Sequence, residues 1–189
     1  MIISLSGAAG SGKSTVAQML ADRLSWPRYY MGGLRRETAK KRGLTLEEYN
    51  KLGESDPATD QEVDYYQRDL GQNQDNFIIE GRTSWYFIPH SLKIYLDVSP
   101  EEGAKRIFKS LQQKNDRNEA TGLKTREDVL EANQNRIESD IKRYRQYYNI
   151  DVYDHKNYDF YLDTTNLTFD QVFQAVFDEV NRHLDNKKI

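Results

Sequence analysis

The sequence contains no cysteine and only three histidines among its 189 residues. Without thiols there is no disulfide framework, no zinc–thiolate site and no cysteine nucleophile. Three scattered histidines leave no His-built metal centre to expect. Proline is scarce too, at four, and no linker, internal repeat or low-complexity tract interrupts the chain. No apolar run approaches the ~18 residues that cross a bilayer. The N-terminus lacks the basic region, apolar stretch and cleavage site of a secretory signal, so a cytoplasmic location and no membrane partner are expected. Charge of one sign is also missing. The 27 basic and 30 acidic residues are interspersed, with a net charge of -3. That balance neither forces the chain open nor leaves a basic footprint for nucleic acid.

Ile, Leu, Val and Phe make up about a fifth of the chain, just above the level at which disorder is expected. The length suits one domain, able to bury roughly two-thirds of the surface its unfolded chain exposes. Residues 2–6 read as a buried strand, and 13–24 as a helix with Val16, Leu20 and Leu24 on one face. Trp26-Pro27 ends that helix. Residues 28–31 read as a second strand and Gly32-Gly33 as a turn. Residues 34–74 are polar and helical, with a break at Asp56-Pro57. Strands follow at 77–80 and 92–98, and Ser99-Pro100-Glu101-Glu102 opens a helix to about 112. Residues 112–125 read as a loop, and a long helix then runs to about 148. A fifth strand centres on 160–162, and 167–184 forms a closing helix. Alternation of strands and helices implies a parallel, three-layer α/β fold with right-handed crossovers.

Between the first strand and first helix stands Gly7-Ala8-Ala9-Gly10-Ser11-Gly12-Lys13-Ser14, with Thr15 next. The spacing is that of a phosphate-binding P-loop. Such a loop wraps a polyphosphate with backbone N–H groups, so bulky side chains are kept out. The helix that follows adds its positive end. Lys13 is expected to bridge the β- and γ-phosphates, Ser14 to ligate Mg²⁺ and Thr15 to reach the α-phosphate. A chance match in a Gly-rich turn is the alternative, and the strand–loop–helix context argues against it. A GTPase would need Asn-Lys-x-Asp and Asp-x-x-Gly, and neither occurs. Motors and AAA-type machines are usually larger. Small kinases remain.

Further residues carry a resemblance. Gly32, Arg36-Glu37-x-Ala39, Arg42-Gly43-Leu44, Glu47-Glu48, Asp56-Pro57-x-x-Asp60, Asp64-x-x-Gln67, Glu80-Gly81-Arg82 and Trp85 are one group. Arg143-Tyr144, Tyr148-x-Ile150-Asp151, Asp154, Tyr158-Asp159 and Asp163-Thr164 are the other. Together they resemble the compact, archaeal type of cytidylate kinase, over nearly the whole chain. The resemblance implies a five-stranded sheet of order 2-3-1-4-5. It also implies a single P-loop kinase domain with core 1–31, 75–111 and 146–189, an acceptor-binding segment 32–74 and a lid 112–145. The implied reaction is phosphoryl transfer from ATP, with Mg²⁺, to CMP or dCMP.

By that resemblance Gly32 and Arg36 belong to the acceptor site, with Arg36 gripping the acceptor phosphate bidentately. A surface position in the basic run from Arg35 to Arg42 is the alternative, and it is the reading favoured for Arg35. Glu80 takes the Walker-B-like position, holding Mg²⁺ through water at a strand end. Gly81 and Arg82 supply the second acceptor clamp. Asp60, Asp64 and Gln67 share one helical face. They either read the acceptor base or form a solvated face with an Asp64–Arg68 pair. Arg136 and Arg143 share one side of the long helix. They serve either as lid arginines that neutralise the transferred group or as partners in ordinary salt bridges around Asp140. Arg117 and Arg126 are further lid candidates. Asp151, Asp154 and Asp159 suit lid positioning, the adenine edge or simple turn roles. The expected catalytic set is Lys13, Arg36, Arg82, Arg136 and Arg143, in a monomer whose partners are ATP and CMP or dCMP. A kinase for UMP, AMP or a non-nucleotide alcohol stays open, although the Asp-Gly-x-Pro-Arg of adenylate kinases is missing. So does a regulatory ATPase, which would not need two clamps for a second phosphate.

Overall fold

The computed structural model describes residues 1–112 and 123–186. Five parallel strands form one sheet: β1 (Ile2–Gly7), β2 (Arg28–Tyr30), β3 (Phe77–Glu80), β4 (Leu92–Asp97) and β5 (Phe160–Asp163). Their order is β2-β3-β1-β4-β5, the order the resemblance implied. Leu5 of β1 lies between Glu80 of β3 and Ile94 of β4, so the strands finish at one edge of the sheet.

The period-two alternation of the strands divides the core. Ile3, Leu5, Ile78, Ile94 and Leu96 face α1 (Lys13–Leu24) and α8 (Phe169–Asn186), which add Val16, Leu20, Val172 and Val176. Ile2, Phe77 and Ile79 face the other way, against Met31 of α2 (Met31–Lys41) and Val63 and Leu70 of α4 (Ala58–Asn73). Between those helices lies α3 (Leu46–Gly53). The remaining α-helices among the described residues are the single turn α5 (Ser84–Phe87), then α6 (Pro100–Leu111) and α7 (Arg126–Tyr148), and a 3₁₀ turn spans His155–Asn157. α6 and α7 pack through Ala104, Ile107 and Val129. As the sequence suggested, Ser99 caps α6 and Pro100 is its first residue.

Three local expectations change. Gly32 and Gly33 lie in the first turn of α2 rather than in a loop. A Cβ at either position would come within 2.7 Å of the Tyr30 ring, so these glycines make room for that ring. The polar stretch after Gly33 holds three helices, because Gly43 takes a left-handed φ of 71° and Thr45 and Glu48 form a capping box that starts α3 anew. α8 begins at Phe169, two residues late, because Thr168 and Gln171 exchange hydrogen bonds at its start. Most of the expected loop at 112–125, with Arg117, lies outside the described residues.

Candidate active site

At the carboxyl edge of the sheet, β1 runs straight into the P-loop. The loop is packed too tightly for side chains at two of its glycines. A Cβ on Gly7 would lie 2.0 Å from the Leu96 carbonyl oxygen, and one on Gly10 would lie 2.4 Å from that of Gly103 in α6. Ala8 N–H donates to Leu96 O at 3.0 Å, and Ser11 O accepts from Thr164 Oγ1 at 3.3 Å. Gly7, Ala8 and Ser11 therefore fasten the loop to β4 and to the turn after β5. Ala9, Gly10, Gly12, Lys13, Ser14 and Thr15 border a cleft. Helix α1 has no side-chain cap and no acid in its first turn, so nothing of its own neutralises the positive dipole end that faces the cleft. Lys13 Nζ lies 2.9 Å from Ala8 O, folded against the loop.

Glu80, at the end of β3, is 1% exposed. One carboxylate oxygen accepts from the Ser14 hydroxyl, and the other pairs with Arg28 Nη2 at 2.7 Å. Arg28 is itself held by Gln18 Oε1 at 3.1 Å. An alcohol and a carboxylate facing each other beside a phosphate loop are the hard oxygen donors that suit Mg²⁺. Among the described residues there is no cluster of three or more acidic or imidazole ligands.

The cleft, about 150 Å³, collects Gly32, Arg36, Asp64, Gly81, Arg82 and Arg136 opposite the P-loop. Arg36 Nη1 donates to Tyr30 Oη at 2.6 Å and to Gly32 O at 3.2 Å. Arg82 lies 2.7 Å from Asp140 Oδ2. Burial works against the Arg82 charge, but Asp140 and Tyr153 more than restore it and raise its pKa above the ordinary value. A roomier cavity of about 820 Å³ opens between α3 and α7. It shares only Arg136 with the cleft and contains no P-loop residue, so the phosphate chemistry belongs to the smaller space.

Other expected residues are placed differently. Arg143 is fully buried and away from the cleft, paired through Nη1 with Asp60 at 2.6 Å and through Nη2 with Asp140. Arg35, expected on the surface, is 7% exposed and pairs with Asp60 at 2.6 Å. Asp60 borders the cleft, but both its oxygens are occupied by these arginines. Gln67 is 0% exposed, and its amide joins Thr83 Oγ1 at 3.1 Å and Ser84 Oγ at 2.6 Å, which ties α4 to the turn after β3. Asp64 borders the cleft and accepts from Tyr148 Oη. Burial drives its pKa up to about 7, against the lowering effect of that hydrogen bond. Arg68 lies over the Phe87 ring at 4.8 Å rather than pairing with Asp64. Arg126 is exposed at the start of α7. Asp151 and Asp154 accept backbone hydrogen bonds within their turn, and Asp159 holds the Lys93 N–H at the start of β4. The sequence reading missed Arg28, Tyr30 and Tyr153. It named Asp140 as a salt-bridge centre one helical turn from both Arg136 and Arg143, and the Asp140–Arg143 pair bears that alternative out.

A parallel sheet of this order, with a P-loop after β1 and an acid ending β3, defines a P-loop kinase fold. Solved structures agree on the fold. An uncharacterised protein from Eubacterium ventriosum superposes with a TM-score of 0.69 at 16% identity, covering 96% of this chain and 98% of that one. A shikimate kinase from Bacteroides thetaiotaomicron gives 0.62 at 14%, covering 98% of both. Residues 2–166 match the cytidylate kinase-like family, and the chain belongs to that family. The cytidylate kinase of Natronomonas pharaonis is 37% identical over 185 residues, 97% of this chain and 91% of that protein. That of Pyrococcus furiosus is 33% identical over 186 residues, 98% and 90% respectively.

Proposed function

We propose that the protein transfers the γ-phosphate of ATP to CMP or dCMP, giving ADP and CDP or dCDP. The observation that carries this reading is the meeting of Arg36, Arg82 and Arg136 across one cleft from a P-loop. A kinase with a phosphorylated acceptor needs cations for a second phosphate there, and a simple ATPase does not. At the cleft wall and behind it, three guanidiniums (Arg35 and Arg82 on the lining, Arg143 behind) face two carboxylates (Asp60 and Asp140), leaving an excess of positive charge beside the acceptor position. The family points to cytosine as the base.

In this reading Gly7 to Thr15 hold the ATP phosphates, and Lys13 spans the β- and γ-groups. Ser14 and, through water, Glu80 hold Mg²⁺, which when bound neutralises charge on the phosphate tail. Arg36 and Arg82 orient the acceptor phosphate so that one of its oxygens lies in line with the γ-phosphorus. That oxygen forms the new P–O bond as the bond to the β,γ-bridging oxygen breaks and ADP leaves. No protein nucleophile or strong base is required, because the attacking group is already an anion. The protein positions the groups, neutralises charge and excludes water. Arg136 neutralises charge on the transferred group. Asp64 is the base-reading candidate, since it borders the cleft and meets only neutral partners, Tyr148 and, at 3.4 Å, Gln67, whereas Asp60 is held by two arginines. We assign 32–74 as the acceptor segment and 112–145 as the lid of a single cytoplasmic domain acting as a monomer.

The test is ADP release from Mg-ATP with CMP, dCMP, UMP, AMP or GMP, against a control without acceptor. CMP or dCMP should stand far above the rest. Turnover with another acceptor would keep the kinase and remove cytosine. Release that no nucleotide alters would remove the kinase reading.

A further inference from the structure

We propose that Tyr153 is a positioning residue that fixes the Arg82 guanidinium for the acceptor phosphate; this rests on the reading of Arg82 given above. The Tyr153 hydroxyl accepts from Arg82 Nε at 3.1 Å and donates to Asp140 Oδ2 at 3.0 Å. Arg82 Nε and Asp140 Oδ2 are themselves 2.7 Å apart. The three groups close a ring, and both contacts that the arginine makes in it fall on its Nε edge. None of the bonds described for Arg82 uses its two terminal amines, the pair that matches two oxygens of a phosphate. A guanidinium tethered by its Nε edge keeps its fork aimed, so less freedom is lost when the anion arrives.

The position of Tyr153 is itself determined. α7 ends at Asn149, whose left-handed φ of 55° turns the chain back toward the sheet. Asp151 Oδ1 then accepts the Tyr153 N–H at 2.9 Å, and neighbouring Val152 is buried at 1% exposure. This turn carries the ring beneath Arg82 from 71 residues further along the chain. Burial, more than the charges around it, raises the phenol pKa, with Asp140 adding to the shift and Arg82 opposing it. The hydroxyl therefore keeps its proton and serves as donor and acceptor together. Tyr153 touches no reacting atom; it acts through Arg82.

Tyr153→Phe keeps the ring and removes only the hydroxyl. The KM for CMP should rise about tenfold, the scale of one hydrogen bond to a charged group, while the KM for ATP stays within twofold. The same change made on an Arg82→Lys background should alter CMP use less than twofold, because lysine has no Nε edge to hold. Thermal unfolding of each variant confirms that the fold is intact. Equal losses toward ATP and CMP, or full additivity with Arg82→Lys, would overturn the proposal and leave Tyr153 a packing residue. Arg82→Ala separates the two layers. If it impairs CMP use while Tyr153→Phe does not, only the positioning role falls. If CMP use survives Arg82→Ala, the reading of Arg82 falls and the positioning role falls with it.

Discussion

Among the described residues Arg143 is the largest fully buried side chain, and its charge is tolerated there because Asp60 and Asp140 surround it. Removing one member of such a cluster leaves uncompensated charge in a poor solvent. Arg143→Ala should therefore lower folding stability by about 3–5 kcal/mol, read as a shift in the chemical denaturation midpoint. Asp64 behaves in the opposite sense. Its folded pKa of about 7 lies above its ordinary 3.8, so the folded state holds a proton that the unfolded chain has already released. That raised value favours folding fully only below about pH 4, and the benefit is lost as pH rises through 7. The total is on the order of 4 kcal/mol. Asp64→Asn should flatten the fall in stability across that window, measured by denaturation at several pH values; an unchanged slope would mean that Asp64 ionises normally. Neither behaviour was legible from residue spacing. Asp60 and Arg143 are 83 positions apart and Arg35 and Asp60 are 25 apart; helical periodicity left Asp60 as a base reader or a solvated face and Arg143 as a lid arginine or a partner of Asp140, and only the fold brings Asp60 to the two arginines.

The elements show the reverse balance. The P-loop, the strand alternation and the Ser99-Pro100 helix start are local signals, and each corresponds to an observed element. The break after Arg42 and the turn α5 were missed because a capping box and a four-residue helix leave little periodic trace. One helix, legible only by its start, also shapes the site. Gly103 in α6 stands so close to the P-loop that a Cβ there would lie 2.6 Å from the Ala9 carbonyl oxygen. Gly103→Ala improves intrinsic helix propensity by about 1 kcal/mol, yet it must push the loop away. The expected result is a KM for ATP raised about tenfold or more, the equivalent of roughly 1.4 kcal/mol, with stability little changed. Steady-state kinetics beside a melting curve checks this, and an unaltered KM would mean that the loop yields without harm.

Across the whole molecule the cleft joins two kinds of structure: a sheet edge that supplies the P-loop, Glu80 and, in the turn just beyond it, Arg82, and helices α2 and α7 that supply Arg36 and Arg136. The two sides should fail separately. Arg36→Ala should weaken CMP use by about a hundredfold, in the range expected for a charge-assisted clamp, while ATP binding measured by calorimetry stays near its original value. Equal losses in both would place Arg36 on the wrong side. Among the described residues no helix is long and apolar enough to cross a membrane, in keeping with the composition.

The buried pairs that tie α7 to α4 and to the turn after β3 also set how the protein responds to its medium. Exposed pairs such as Lys41–Glu37 and Lys105–Glu102 sit where dissolved ions screen them within about 8–10 Å. The Arg143, Asp60 and Asp140 cluster is closed to those ions. Raising ionic strength therefore softens the rim of the molecule and leaves the docking of α7 untouched. A medium that swings between dilute and concentrated salt would change the attachment of this helix least.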